Sequence, residues 1–282
     1  ETYYALIMMD GDRMGAWVSG EAADLLMEKS FHKEVADELR NMGLGEYLNT
    51  RRSLSPAWHQ AVSTALNNFS LRVARLVVER LFSGKLIYAG GDDLLAMTTV
   101  SDLPALMLVL RCAYSGLLPS MMEEADTWQW LSSERHRFLR LRNGYAYAVE
   151  GNTKRLLRLM GSKASASIGA VVAHHKAPLG MVIERLREAE RRAKNAGRDA
   201  FCITLSKRAG GTTSFKGSWR LRPQNNGNEA TEIQKNAMGL LIRTRDVLST
   251  KGVSRRAAYL LWELLGNLSP EEDVLRCSIA HQ

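Results

Sequence analysis

The sequence predicts an α+β fold in the order strand, helix, hairpin, helix, strand, helix, strand, and three observations carry that prediction. Residues 2–9 form a continuous apolar run and 164–173 a run of small and β-branched residues, both of strand length, and the first reads as a strand buried in the middle of a sheet. Residues 85–97 place two glycines between two further apolar runs, which supplies the positive φ values of a tight hairpin. Long stretches between these strands carry apolar residues at three-to-four spacing and read as helices packed on the sheet.

The 282 residues are 45% apolar, enough for a substantial core in one large domain or two smaller ones. Lys and Arg total 38 against 30 acids, a net charge of +8. That balance favours a polyanionic partner or substrate. The three cysteines, Cys112, Cys202 and Cys277, are widely spaced and form no CxxC pair, so neither a disulfide framework nor a zinc site is indicated and a reducing cytoplasm fits. No apolar run approaches a membrane span, and no signal peptide opens the chain. A strand begins directly after Glu1, a residue other than Met, which reads as a piece of a longer protein.

The first strand ends in Asp10-Gly11-Asp12-Arg13-Met14-Gly15. Ligands gather at the carboxyl ends of strands in open sheets, and a chain leaving through glycines exposes amides that can meet phosphate. Taken alone, the same residues also make an ordinary polar turn. A helix is expected from Ala22 to Met42, and a longer one from the Ser55 cap and Pro56 to Phe82, with Val62, Leu66, Phe69, Val73, Leu76 and Leu81 at helical spacing.

Gly84 stops that helix, and the hairpin follows. Gly90 and Gly91 precede Asp92 and Asp93, which open the apolar run Leu94-Leu95-Ala96. Adjacent carboxylates have little use at the start of a buried strand. A divalent cation gives them one, since Mg²⁺ takes one or two carboxylates and fills its shell with water and phosphate oxygens. A structural turn is the competing reading.

Ser101-Asp102-Leu103-Pro104 starts a helix through Tyr114. Residues 115–160 read as a helical insertion with Trp128 and Trp130 in its middle. Between Glu134 and Lys163 stand eight Arg or Lys against two acids, with Phe138, Tyr145 and Tyr147 interleaved. Such a stretch is either a solvated face or a surface for RNA or an acidic neighbour. The strand 164–173 contains Ser167 and Gly169, the latter marking close approach of a backbone or ligand. His174 and His175 read as ordinary surface or loop residues.

Pro178 opens a helix with Val182, Leu186, Ala189, Ala193 and Ala196 facing the core and Gly197 capping it. Lys194 and Arg198 project together at its end, and Glu190 is placed to pair with Lys194. A last strand covers 200–205. Residues 207–227, rich in Gly, Ser and Asn, read as a linker, and 229–265 show helical spacing.

The order of elements is that of the ferredoxin-like βαββαβ palm, and carboxylates at the first strand's end and in the hairpin are the layout of polymerases and nucleotidyl cyclases. Asp10-Gly11-Asp12-Arg13-Met14-Gly15, Ser55-Pro56-Ala57-Trp58-His59, Tyr88-Ala89-Gly90-Gly91-Asp92-Asp93, Ser167-Ile168-Gly169, 174–179 and Ala193-Lys194-Asn195-Ala196-Gly197-Arg198 together resemble the large cyclase subunit of type III CRISPR effector complexes, nearest its Cmr, or III-B, branch. The resemblance implies a second palm over 1–208, a linker over 209–228 and a helical domain over 229–282.

It implies further that ATP is turned into cyclic oligoadenylate when target RNA is bound, in a complex with other subunits and a guide RNA. By the same resemblance, Asp10, Asp92 and Asp93 would be the catalytic ligands of two Mg²⁺ or Mn²⁺ ions, with Asp12 in support. Gly11, Gly90, Gly91 and Ser167 would border the nucleotide, and Lys194 and Arg198 would hold its phosphates. The family pairs two palms, and many members carry an HD nuclease. This chain has no adjacent His-Asp pair, so DNA cleavage is not assigned to it. A GGDEF-type diguanylate cyclase and a silent palm acting as ribonucleoprotein scaffold are the alternatives.

Overall fold

The computed structural model describes residues 2–22, 26–52, 54–117, 138–219, 237–249 and 256. β1 (Tyr3–Gly11) buries Ala5, Ile7 and Met9 completely, as its unbroken apolar run predicts. Short helices α1 (Met14–Val18), α2 (Lys33–Asn41) and α3 (Gly45–Leu48) follow it. The helix expected from Ala22 to Met42 is thus reduced to a 3₁₀ turn at Met27–Ser30 and α2.

α4 (Pro56–Asn68) begins as expected, with the Ser55 Oγ accepting a hydrogen bond from the Trp58 amide at 3.3 Å. The same amide also donates to the Ser55 carbonyl at 2.9 Å, so side chain and backbone of the N-cap together close the first turn. Helical structure continues to Leu81, but Phe69–Val73 and Leu76–Leu81 widen to π pitch. The wider turns bury Leu76, Val77 and Val78 in succession, which a narrower apolar stripe would not seat.

The hairpin of β2 (Gly84–Gly90) and β3 (Asp93–Thr98) is next, then the buried helix α5 (Leu103–Ser115). After it come β4 (Leu139–Arg142), β5 (Tyr145–Glu150) and β6 (Thr153–Arg158), which form a separate antiparallel sheet. The helical reading of 115–160 is therefore wrong over 139–158. Its Leu-Arg-Leu-Arg and Tyr-Ala-Tyr-Ala stretches alternate with the period of a strand, and Gly144 and Gly151 turn the chain with positive φ. Trp128 and Trp130 lie outside the described residues.

β7 (Ala166–His174), α6 (Leu179–Asn195), β8 (Ala200–Ser206) and β9 (Thr212–Ser218) complete the main sheet, whose order is β2-β3-β1-β7-β8-β9. β1 is antiparallel to both β3 and β7, while β8 joins β7 in parallel through the α6 crossover. This is the expected palm topology extended at one edge. β9 corrects the linker reading: 212–218 pair with β8 along its whole length. Composition conceals the strand, because its Gly and Ser lie beside Thr212, Thr213 and Phe215, residues that favour a pleated edge.

Val182, Leu186, Ala189 and Ala193 of α6 pack on Leu6, Val171, Ala173 and Cys202, whereas Ala196 is exposed rather than core-facing. A Cβ on Gly169 would lie 2.3 Å from the Glu190 backbone nitrogen. The close approach expected at Gly169 is thus that of α6 itself. His174 is buried, not on the surface, and meets the Tyr3 ring edge-on at 5.4 Å. α7 (Ala237–Ser249) is helical, as expected there. The chain divides into one unit over Glu1–Met238 and another over Gly239–Gln282. No helix among the described residues is long and apolar enough to cross a membrane.

Candidate active site

β1 and the β2–β3 hairpin bring Asp10, Asp92 and Asp93 together, with one carboxylate oxygen from each within 4.8 Å of the others. Asp10 is next to last in β1, Asp92 occupies the hairpin turn, and Asp93 opens β3. Because β1 and β3 are antiparallel neighbours, with Met9 opposite Leu94, the end of one strand meets the beginning of the other. Gly91 makes the turn with φ of +61°, and a Cβ there would meet nothing within 4 Å. Its surface is open to an approaching ligand. Gly90 has a different reason, since a Cβ there would strike the Tyr88 ring.

α6 supplies the cation. Lys194 Nζ lies 2.7 Å from Asp10 Oδ2 and 2.8 Å from Glu190 Oε1. Burial pulls its pKa down, but hydrogen bonds to Asp10 and Glu190 outweigh this and raise it. The Asp92 carboxyl is pushed up mainly by burial and then by Asp10, and the Asp93 carboxyl by burial, Asp10 and Asp92. The cluster therefore holds more negative charge than Lys194 offsets. Three clustered carboxylates with unmet negative charge suit a hard divalent cation such as Mg²⁺ or Mn²⁺. Arg198 is exposed just beyond α6, with φ of +62°.

Three other residues expected at this site serve the interior. Asp12 is buried, its Oδ1 accepting from Ser167 Oγ at 2.8 Å and its Oδ2 from Ser165 Oγ at 2.7 Å and the Asp199 amide at 2.9 Å. With both oxygens so engaged, Asp12 braces the loop after β1 and does not join the cluster. Ser167 is fully buried in that network and presents nothing to a nucleotide. Gly11 admits neighbours: a Cβ there would fall 2.3 Å from the Tyr114 hydroxyl and 2.7 Å from Asp92 Cβ.

Tyr114 and Arg111 are the residues sequence reasoning missed. The Tyr114 hydroxyl donates to Met14 Sδ at 3.3 Å, and burial, then Asp92 and Asp12, raise its pKa. It stays a neutral wall beneath the aspartates. Arg111 is buried with Nη2 2.6 Å from Asp199 Oδ1 and Nη1 donating to Ser115 Oγ at 3.0 Å. An arginine inside an otherwise apolar helix is the one signal that pointed to it, since a buried charge requires a partner.

The model of the Cas10/Cmr2 second palm domain matches residues 3–132. Over that stretch the chain is similar to the Cas10/Cmr2 second palm. The CRISPR system Cmr subunit Cmr2 of Pyrococcus furiosus is 32% identical over 221 residues, covering 78% of this chain and 20% of that protein. The corresponding subunit of Saccharolobus solfataricus is 30% identical over 167 residues, 57% of this chain and 14% of its own. The palm chain thus spans a fifth or less of the curated relatives it matches. Among solved structures, a type III-B Cmr-beta complex bound to cognate target RNA aligns with TM-score 0.49 and 20% identity over 76% of this chain and 27% of the other.

Proposed function

We propose that this palm binds ATP with two Mg²⁺ or Mn²⁺ ions and joins adenylates into cyclic oligoadenylate, as part of a type III CRISPR effector complex that holds guide RNA and target RNA. The convergence of Asp10, Asp92 and Asp93 within 4.8 Å is the observation that carries this reading. Asp10 and Asp92 would hold the ions, with Asp93 completing the set from the exposed side. Bound there, divalent ions supply activation of a 3′-hydroxyl and charge relief for the leaving pyrophosphate. Lys194 sits 2.7 Å from Asp10, close enough to place its ammonium on a nucleotide phosphate beside the cluster. Gly91 leaves the hairpin backbone uncovered for the nucleotide, and Arg198 adds a second cation at the end of α6.

No protein nucleophile is required, because the attacking group is a substrate hydroxyl and the protein's share is positioning and charge. In the 282-residue chain by itself, ATP binding is expected with little oligoadenylate formed, since the family places donor and acceptor across two palms. Calorimetric titration of ATP with Mn²⁺ tests the proposal. Asp10→Ala and Asp92→Ala should each abolish metal-dependent binding, and unchanged titrations with folding intact would overturn it. Preference for GTP over ATP would instead favour the diguanylate cyclase alternative.

A further inference from the structure

The β4–β5–β6 sheet has two unlike sides. Ala146 and Ala148 of β5 are buried together with Leu139, Leu141 and Leu157 of the neighbouring strands. The other side places Arg140 opposite Tyr147 and Arg142 opposite Tyr145, with Leu156 across from Tyr147 on β6. These five residues line a surface depression of about 500 Å³. Lys154 extends the same side, opposite Val149. The sheet's acid, Glu150, shares the alternation of Ala146 and Ala148 and lies 4.0 Å from Arg72. No carboxylate among the described residues pairs with Arg140, Arg142 or Lys154.

We propose that this face is a docking surface for single-stranded RNA. Its cations match phosphates, and its two tyrosines are sequence-tolerant platforms for bases, the combination by which flat sheets take up unpaired strands. Tyr145 and Tyr147 are two residues apart on one strand, about 7 Å, so consecutive splayed bases can each take a ring. Leu156, 71% exposed, lengthens the apolar floor beside Tyr147. A duplex hides its base faces and offers these rings nothing. The phenolic hydroxyls can pair with the 2′-hydroxyl, the group by which a protein tells RNA from DNA.

The test is fluorescence anisotropy of the 282-residue chain with a labelled 12-nucleotide RNA of mixed sequence, the same sequence as DNA, and the RNA duplex, over a salt series. Arg140→Ala/Arg142→Ala should weaken RNA binding at least tenfold and make the log–log salt slope shallower by about 1.4, two phosphate contacts' worth for a single strand. Tyr145→Ala should weaken it about fivefold or more with the slope kept, as expected for a lost stacking contact. All these side chains are outside the nucleotide site, so the variants should bind ATP with Mn²⁺ as the parent does, which also shows that they fold. Unchanged RNA affinity in the variants, or equal affinity for duplex or for DNA, would overturn the proposal. Poly-glutamate binding as tight as RNA and equally sensitive to both variants would overturn it in favour of an acidic protein.

Discussion

Lys194 on α6 and Asp10 on β1 meet at 2.7 Å across the surface of the sheet. The lysine also reaches Glu190, so its ammonium stands between a carboxylate of its own helix and one of the aspartate cluster. Lys194→Ala should weaken ATP binding about tenfold or more and adenosine binding far less, because a point charge acts on phosphate and not on the base. Competition titrations with both ligands measure this. Equal losses would reduce Lys194 to a partner of Glu190.

The raised pKa of Asp92 bears on stability in a direction that can be worked out. A carboxyl whose folded pKa exceeds its unfolded value favours folding below the unfolded pKa, and that advantage is lost as pH rises through the folded pKa. At neutral pH without metal, the Asp92 charge therefore costs stability. Asp92→Asn should raise Tm by about 2 °C in EDTA at pH 7, and the gain should vanish as pH falls toward about 4. With saturating Mn²⁺ the order should reverse, since the parent gains about 2.7 kcal/mol at 100 times Kd and the variant does not. Thermal melts over pH 4–8 with EDTA and with Mn²⁺ test both signs.

Gly11→Ala should destabilise by about 1–3 kcal/mol, the usual cost of forcing a methyl into a filled site. The contacts it would make are the Tyr114 hydroxyl at 2.3 Å and Asp92 Cβ at 2.7 Å. Tyr114→Phe removes the first and leaves the second. The double variant should recover part of the loss, and a double-mutant cycle by denaturant unfolding reads the coupling. Full additivity would show that Tyr114 is not what excludes a side chain at position 11.

Arg111→Met should cost about 3 kcal/mol or more, because it leaves Asp199 without the guanidinium 2.6 Å away. Arg111→Met/Asp199→Asn should cost less than the single change. Asp199 also donates its amide to Asp12, so the single variant should weaken Mn²⁺-dependent ATP binding indirectly, by loosening the loop after β1. Urea titrations and calorimetry separate the two effects.

The aspartate cluster was legible because Asp10 and Asp92 adjoin glycines at the ends of apolar runs and Asp93 opens the next run, where a carboxylate has no packing role to play. Asp12 has the same local setting as Asp10, and only Ser165, Ser167 and the Asp199 amide, over 150 residues away in sequence, decide that it turns inward. Tyr114 reads locally as one more core aromatic; nothing near it in the chain points to Gly11. The palm order was legible from apolar runs of strand length. The second sheet was not, because a four-residue strand alternating Leu with Arg, followed by two short basic or aromatic strands, looks like a basic helix until its partners are known. β9 escaped notice for a related reason: an edge strand needs only one buried side, and its glycine and serines mimic a linker.

The three carboxylates also differ in how freely they can be changed. Asp10 is tied to Lys194, and Asp92 is half-buried against Gly11. Asp93 begins a strand on the solvent side and is exposed. Natural variation and laboratory redesign therefore have one exposed position in this cluster, tied to it by a hydrogen bond with Asp10. In the metal-binding role proposed for the cluster, histidine or cysteine at 93 would exchange a hard oxygen donor for a softer one and shift preference toward softer cations such as Zn²⁺. Ion selectivity can drift here faster than the architecture that supports it.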